Sequence, residues 1–410
     1  MALIVQKFGG TSVGSIEKIQ NAANRVIEEA ERGNQVVVVV SAMGKTTDEL
    51  VSMAKEISAA PSKREMDMLL STGEQVTISY LTMALLAKGY DAVSYTGWQA
   101  GISTEAVHSN ARISDIETAR VKAALEAGKI VVVAGFQGVD ADGEITTLGR
   151  GGSDTTAVAL ASALHADRCD IYTDVTGVYT TDPRYIKGAR KLLSVSYDEM
   201  LELANLGAGV LHPRAVEFAK NYQIQLEVRS SMEQEKGTII EEEASMEQNL
   251  IVRGIAFEDR ITRVTIFGLS GNIGTLSTIF TTLAKNRINV DIIIQSMTDT
   301  DSINLTFSIK SNDVEEALNV LEKNKNNLPF DRVETESGLS KVSIVGSGMV
   351  SNPGVAAEMF ECMAQNGIVI KMVSTSEIKV STVVDQKDMV KAVEALHEAF
   401  RLDEPAQVKA

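Results

Sequence analysis

Cysteine is nearly missing from this chain of 410 residues: Cys169 and Cys362 stand far apart, with no Cys-x-x-Cys pair and only four histidines to join them. Neither a disulfide framework nor a zinc site is supported, and a reducing cytosol is the expected compartment. His108, His165, His212 and His397 are dispersed and read as structural or surface residues, and no Ser/His/Asp or Cys/His constellation is evident. Basic charge is also short. Lys and Arg number 39 against 55 Asp and Glu, giving a formal net charge of −16. Nucleic acid and anionic membrane are thereby disfavoured as partners, and any phosphate must be met by a local cluster. No apolar run approaches transmembrane length. The opening MALIVQKFGG lacks a basic n-region and is broken by Gln6 and Lys7, so it is not a secretory signal; a soluble, cytoplasmic protein is expected. The common nucleotide fingerprints are missing too. Met43-Gly44-Lys45-Thr46 fails as a P-loop because the first glycine of that pattern would fall at Val39, and no Gly-x-Gly-x-x-Gly follows a strand.

What is present is a concentration of anion-binding features in ITTLGRGGSDTT, residues 145–156. Gly149, Gly151 and Gly152 allow close backbone approach, and the N–H groups of the following turn are free to point at a ligand. Arg150 adds a planar fork for a carboxylate or phosphate; Ser153 and Asp154 stand at capping positions before the apolar run AVALASALHA. A capped glycine turn without a ligand is the alternative reading. A second stretch weighs against it: the strand ALIVQKF runs into GGTSVGS and then a helix, a common way to hold phosphate on backbone amides. Lys7 at that strand's end is placed to reach a phosphate, although a solvated edge lysine would look the same.

The five valines of Val36–Val40 predict a strand covered on both faces. Similar strands are expected at 2–8, 91–95, 130–134, 168–173 and 224–228, with helices at 15–32, 65–88, 114–127, 153–165, 197–205 and 213–221. That alternation predicts a doubly wound, mainly parallel α/β domain over 1–240, with ligands beyond the carboxyl ends of the strands. Residues 241–249 open with an acidic run and read as a linker.

Beyond the linker the chain repeats itself. Val264, Gly268, Gly274, Asn286, Ile288 and Ser296 correspond to Val342, Gly346, Gly354, Asn366, Ile368 and Ser376, a duplication that predicts two small domains. Each copy reads strand, helix, strand, strand, helix, an order that resembles the ACT domain, a module that commonly binds amino acids and pairs with its own kind. The first copy, 261–337, has a fourth strand near Arg332–Glu336; the second, 340–401, lacks one before the tail at 402–410. The unpartnered apolar segment 250–257 is expected to complete it.

KFGGTSVGS at 7–15, VVVSAMGKTTD around Ser41, Gly73-Glu74, GRGGSDTTA at 149–157 and YTDVTGVYTTDPR at 172–184 resemble the amino acid kinase family. Within it they resemble the aspartate kinases, and most of all the lysine-sensitive ones of Gram-positive bacteria. The resemblance spans the chain in order and spacing and implies a three-layer kinase domain followed by two α+β ACT modules. It also implies ATP and Mg²⁺ as cofactors and phosphorylation of the β-carboxylate of L-aspartate, the first step of lysine, threonine and methionine biosynthesis. Residue by residue, Lys7 stabilises the transferring phosphoryl group, Gly9 and Gly10 donate N–H bonds with Ser41 nearby, and Asp154 orients Lys7 or a metal-bound water. Glu74 meets the substrate ammonium and Arg150 its α-carboxylate, with Thr47, Gly151, Gly152 and Ser153 completing that pocket. Thr173, Asp174, Tyr179, Asp182 and Arg184 form the nucleotide pocket. Packing, turn and solvated-helix roles are the plain alternatives for Tyr179, Asp182 and Glu74. No general base is needed, since a carboxylate acceptor is already ionised at neutral pH.

Two other readings compete: a kinase for glutamate, carbamate or a nucleoside monophosphate, and a ligand-sensing scaffold without activity. The Arg150 and Glu74 pair favours an amino acid, and intact Lys7, Asp154 and GRGGSD favour an enzyme. For regulation, Asn272, Gly274 and Thr275 at a helix start, with Gln295 and Ser296 on the next strand, are expected to hold an amino-acid effector. Pro353 removes an N–H from the matching segment of the second copy, so that copy is expected to serve mainly as an interface. Some threonine-responsive relatives carry Asn where this chain has Val369, which favours lysine over threonine. Self-association through the ACT modules is expected, as is a separate small subunit started at Met246, by analogy with some relatives.

Overall fold

The computed structural model describes residues 1–244, 251–270, 272, 274–299, 302–325 and 328–404. Chain order begins β1 (Leu3–Phe8), α1 (Ile16–Glu31), β2 (Gln35–Val40), α2 (Thr46–Ile57), α3 (Lys63–Leu70), α4 (Thr72–Ala87), β3 (Ala92–Tyr95). It continues β4 (Ile102–Thr104), β5 (Ile113–Ile116), α5 (Ala119–Glu126), β6 (Ile130–Ala134), β7 (Gln137–Val139), β8 (Ile145–Thr147), α6 (Gly152–Leu164), β9 (Arg168–Thr173). It closes with β10 (Ser194–Ser196), α7 (Tyr197–Asn205), α8 (Pro213–Tyr222), β11 (Leu226–Ser230) and β12 (Thr238–Glu241).

The valine run sits where its composition demands. In β2, Val37 and Val39 enter the core formed with α6 and α8, while Val36, Val38 and Val40 enter the core under α1 and α4. The sheet has the order β10-β12-β11-β9-β1-β2-β6-β3 and is parallel except where β12 runs against β11. The expected α/β class is therefore found, with three local corrections. Ser71 divides the helix expected over 65–88 into α3 and α4, and α2 precedes them, with only Ala54 fully buried to signal it. The helix expected from 114 starts at Ala119, because Ile113–Ile116 pairs with β4. That pairing belongs to a second sheet, β5-β4-β7-β8, whose three- and four-residue strands are too short to show a period of two in sequence.

The remaining elements are β13 (Gly254–Ser270), α9 (Thr275–Lys285), β14 (Ile293–Asp299), β15 (Ser302–Lys310), α10 (Val314–Lys323), β16 (Arg332–Val345), α11 (Val355–Gln365), β17 (Met372–Thr375), β18 (Lys379–Asp385) and α12 (Met389–Ala399). They form one antiparallel six-stranded sheet, β14-β15-β13-β16-β18-β17. Two long strands serve both copies. Residues Arg263–Phe267 of β13 pair with Arg332–Glu336 of β16, whereas Gly254–Glu258 pairs with Lys341–Val345. Boundaries at 257/261 and 337/340 thus fall inside continuous strands, marked by register shifts between Glu258 and Arg263 and by left-handed backbone at Arg260 and Gly338. β13 begins at Gly254, and Leu250 and Met246 lie outside the described residues. Leu402, at the start of the expected tail, is fully buried in the second copy's core. Among the described residues no helix is long and apolar enough to cross a membrane.

Glu199 joins the kinase domain to this sheet. Its Oε2 accepts the N–H of Ser196 at 3.2 Å, completing the capping box of α7, and lies 3.4 Å from Nε of Arg253. Its Oε1 accepts the N–H of Ser347 at 2.9 Å and the Ser347 hydroxyl at 2.8 Å. Burial pushes its carboxyl up, but Arg253 and the donors of Ser347 and Ser196 outweigh that and hold it below its usual range. Removing a fully buried, paired carboxylate costs about 3 kcal/mol or more. Glu199→Ala should therefore shift the urea unfolding midpoint by that equivalent; an unchanged midpoint would show that the junction contributes nothing.

Candidate active site

The carboxyl ends of β1, β2, β6 and β9 converge because parallel pairing puts Lys7 opposite both Val39 and Ile171, and Val40 opposite Ala134. Backbone bonds tie the loops that leave these strands. Gly9 N–H donates to Tyr172 O at 3.2 Å, Ser41 N–H to Phe8 O at 3.1 Å, Gly44 N–H to Gly10 O at 3.0 Å, and Gly135 N–H to Val40 O at 3.0 Å. Gly10 has no room for a side chain, since a methyl there would stand 2.9 Å from Ala42 O.

Into this mouth α6 presents its first turn. Lys7 Nζ lies 2.5 Å from Asp154 Oδ1, both side chains nearly buried at 11% and 12% exposure. Close approach of α6 depends on Gly135, where a methyl would stand 2.8 Å from Ser153 Oγ. Gly151, with φ +68°, begins the helix in left-handed backbone. Ser153 is buried, Gly152 packs on Phe136 and Leu148, and Arg150 is exposed at the rim.

Glu74 enters from α4 and is 3% exposed. Its Oε1 accepts the N–H of Ala42 at 3.0 Å, next to Ser41, while its buried Oε2 has no partner among the described residues. Burial raises its carboxyl to about 8, against the opposing pull of its own N–H and that of Ala42. A buried carboxyl oxygen is costly unless it is hydrogen-bonded or protonated, which is the direction of this shift. Gly73 lets α4 approach, a methyl there meeting the Ala42 Cβ at 2.8 Å, and Thr47 is half-buried in the first turn of α2.

The segment after β9 is a separate wall. Thr173 hydroxyl donates to Asp174 Oδ1 at 3.1 Å, Tyr179 OH lies 2.7 Å from Thr176 Oγ1, and Arg184 grips Asp182 through Nη2 at 2.6 Å. The Arg184 guanidinium holds the Asp182 carboxyl below its usual range. Both side chains are accessible, that of Arg184 at 83% exposure.

The structure adds residues that sequence reading set aside. A methyl at Gly151 would stand 2.1 Å from Cγ of His212, so this histidine closes one side of the cradle. Its ring accepts the N–H of Arg214 at 3.3 Å, capping α8. Burial, reinforced by Arg214 and Arg150 and opposed by Asp154, keeps its pKa below the usual value. Arg214 donates to Leu148 O at 3.0 Å and Asn110 Oδ1 at 2.8 Å, holding the loop before the cradle. Asp67, fully buried, accepts from Thr147 and Ser109 N–H and lies 3.0 Å from His108 Nδ1. The dipeptide His212-Pro213 is a visible helix-start signal, but its contact with Gly151 has no signature in sequence.

The amino acid kinase family pattern matches residues 2–230, and the ACT domain pattern matches 264–324 and 342–400. Aspartokinase 2 of Bacillus subtilis (strain 168) is 75% identical over 402 residues, 98% of each chain. This chain belongs to the aspartokinases of the amino acid kinase family. Its enzymes' fold extends to E. coli aspartokinase III, 28% identical: the complex with aspartate and ADP (R-state) superposes with a TM-score of 0.81 over 97% of this chain and 99% of that one. The complex of that enzyme with lysine and aspartate (T-state) superposes with a TM-score of 0.76 over the same shares. As an aspartokinase, the chain transfers a phosphoryl group to aspartate and carries ACT modules of the kind that make such enzymes allosteric.

Glu74 gives a pH signature to the ligand-free enzyme. Between its unfolded value of 4.5 and its folded value of about 8, the folded chain holds the extra proton. Stability should therefore fall as pH rises through that window, by up to about 1.4 kcal/mol per unit, and level off above it. Glu74→Gln should remove that slope; a variant with the wild-type pH dependence of unfolding would assign the slope elsewhere.

Proposed function

We propose that the enzyme phosphorylates the β-carboxylate of L-aspartate with ATP, the committing step toward lysine and related amino acids. The Lys7–Asp154 pair at the strand ends carries this reading, beside a buried Glu74 oxygen that lacks a partner. An oxygen of the β-carboxylate attacks the γ-phosphorus; its bond to the β,γ-bridging oxygen breaks, and ADP leaves with that electron pair. The obstacle is the approach of two anions. Lys7, freed from or shared with Asp154, stabilises the transferring group, and Gly10 offers a backbone N–H; the N–H expected from Gly9 is instead taken by Tyr172 O, so Gly9 serves by leaving room beside Lys7. Asp154 keeps Lys7 directed at that position. Mg²⁺, arriving with ATP, supplies further neutralisation of phosphate charge. Asp154, the carboxylate beside Lys7, would help to hold that ion or a water bound to it.

Glu74 accepts from the aspartate ammonium and Arg150 forks the α-carboxylate, with Thr47, Gly151, Gly152 and Ser153 completing the pocket; the Gly152 N–H itself is taken by Gly149 O, so that glycine lines the pocket without donating. Binding of the ammonium displaces the Glu74 proton, so the aspartate requirement falls as pH rises toward 8. Ser41, Thr173, Asp174, Tyr179, Asp182 and Arg184 hold the nucleotide. Lys7→Ala should cut turnover by about a thousandfold without unfolding the chain, and Arg150→Ala should chiefly raise the KM for aspartate. ADP release assayed over a panel of amino acids checks the substrate: activity on glutamate and not aspartate would overturn it.

We further propose kinase, linker and ACT divisions at 1–240 and 241–249, with 250–257 serving the second module, and lysine as the effector, bound in the first copy. Gly274 starts α9 with φ +102° and open space around it, Thr275 N–H donates to Asn272 O, and Gln295 and Ser296 are exposed on β14, an edge of the sheet. Gly271 and Ile273 lie outside the described residues. Edge strands also favour self-association through the ACT modules, and an internal start at Met246 would supply both modules as a separate subunit. The E. coli relative solved with lysine and aspartate supports this effector. Gln295→Ala or Gly274→Ala should relieve inhibition by lysine with the KM for ATP and aspartate unchanged; inhibition that persists in both would place the effector elsewhere.

A further inference from the structure

The segment carrying the proposed nucleotide residues is built into the second ACT copy. Thr180, between Tyr179 and Asp182, is fully buried. Its Oγ1 accepts the N–H of Arg190 at 2.9 Å and lies 2.9 Å from Nε2 of His397 on α12. Its carbonyl accepts the N–H of Ile255 on β13 at 2.7 Å, and its N–H donates to Arg190 O at 2.8 Å. Farther along, Tyr185 meets Phe257 edge to face at 5.1 Å between centroids. Ile186 is 5% exposed within the second copy's core, in one cluster with Ile255, Met359 and Leu396. The stretch from Thr180 to Ile186 is therefore pinned at both ends to that copy, and Asp182 and Arg184 lie between the pins. The aspartate cradle is held differently, by His212, Asn110, Phe136 and Gly135, all from the kinase domain.

We infer that His397 is a positioning residue for the nucleotide: its hydrogen bond with Thr180 fixes the loop that bears Tyr179, Asp182 and Arg184, so the second ACT copy sets nucleotide affinity. This rests on the reading of Thr173–Arg184 as the nucleotide pocket. The hydrogen-bond inventory supports the role. Thr180 Oγ1 already accepts from Arg190, so its own proton is free to go to a ring nitrogen that accepts. His397 is 4% exposed, and burial, helped by Arg190 and opposed by Asp403, favours the neutral ring that such an acceptor needs. An apolar residue in that place would fill the core but leave the Thr180 hydroxyl without an acceptor at the root of the loop.

Steady-state kinetics on the full-length enzyme separates positioning from packing. His397→Ala and Thr180→Val should each raise the KM for ATP by about fivefold or more, with the KM for aspartate within about twofold of wild type and turnover at saturation largely kept. His397→Gln, whose Oε1 can accept from Thr180, should restore the KM for ATP to within about twofold. Equilibrium titration with ADP should rank the variants in the same order. Thr180→Val preserves shape but also removes the acceptor of the Arg190 N–H, so if His397→Ala does not fold the test is carried by His397→Leu, which fills the core without an acceptor, compared with His397→Gln. Equal changes in both KM values, no change in either, or no rescue by glutamine would each overturn the inference. Tyr179→Ala run in parallel tells the two levels apart. If it raises the KM for ATP while His397→Ala and Thr180→Val do not, the pocket stands and the positioning role fails. If none of the three moves it, the nucleotide-pocket reading itself is wrong.

Discussion

A lysine ammonium and an aspartate carboxylate held 2.5 Å apart at the end of a parallel sheet set the terms for the rest of the kinase domain. Such a pair is costly to withdraw from water unless its geometry is fixed and its surroundings polar. Both requirements are met by backbone. Parallel registry places Lys7 at a strand end, and α6 can bring Asp154 to it only because Gly135 and Gly151 leave no side chain in the way. The same close approach brings the first turn of α6 to the ends of the strands.

Glu74 is the counterpart on the other side of the mouth. Where Asp154 is compensated by Lys7, one oxygen of Glu74 has no partner among the described residues and burial raises its carboxyl to about 8. The two acidic side chains thus stand in different environments, one ion-paired with Lys7 and one raised by burial. The rigid element between them is the short loop after β2, whose Ala42 N–H binds Glu74 while the N–H of Ser41 binds the end of β1.

The regulatory half is joined to this site through shared structure more than through a hinge. β13 and β16 each pass through both ACT copies, so neither copy moves without the other's sheet being disturbed. On the kinase side, Glu199 caps α7 with one oxygen and holds Ser347 with the other, and α7 packs on α8, which His212 caps beside the cradle. The loop after β9 reaches the second copy directly at Thr180 and Ile186. These contacts join the second copy to the kinase domain at two separate places.

Much of this was legible in the residues. The valine run required a strand covered on both faces, the glycine-rich turns flagged the backbone approach, and the duplication announced two related modules, because burial and backbone freedom leave periodic marks in sequence. The missing strand of the second copy could be counted, and the segment from Gly254 pairs where a strand was wanting. Short strands such as β4 and β7 left no such mark. Nor did the contacts made by side chains far apart in the chain. His212 and His397 read in sequence only as dispersed structural or surface residues, and nothing there singles out Asp67; one closes on Gly151, one on Thr180, and one gathers Thr147, Ser109 and His108. The continuity of β13 and β16 was equally hidden, since a bulge keeps both halves extended and looks like a boundary. Local chemistry and periodicity were therefore set by the sequence alone, whereas the partners of each buried polar group were decided only by tertiary packing, because a hydrogen bond depends on distance in space and not on separation along the chain.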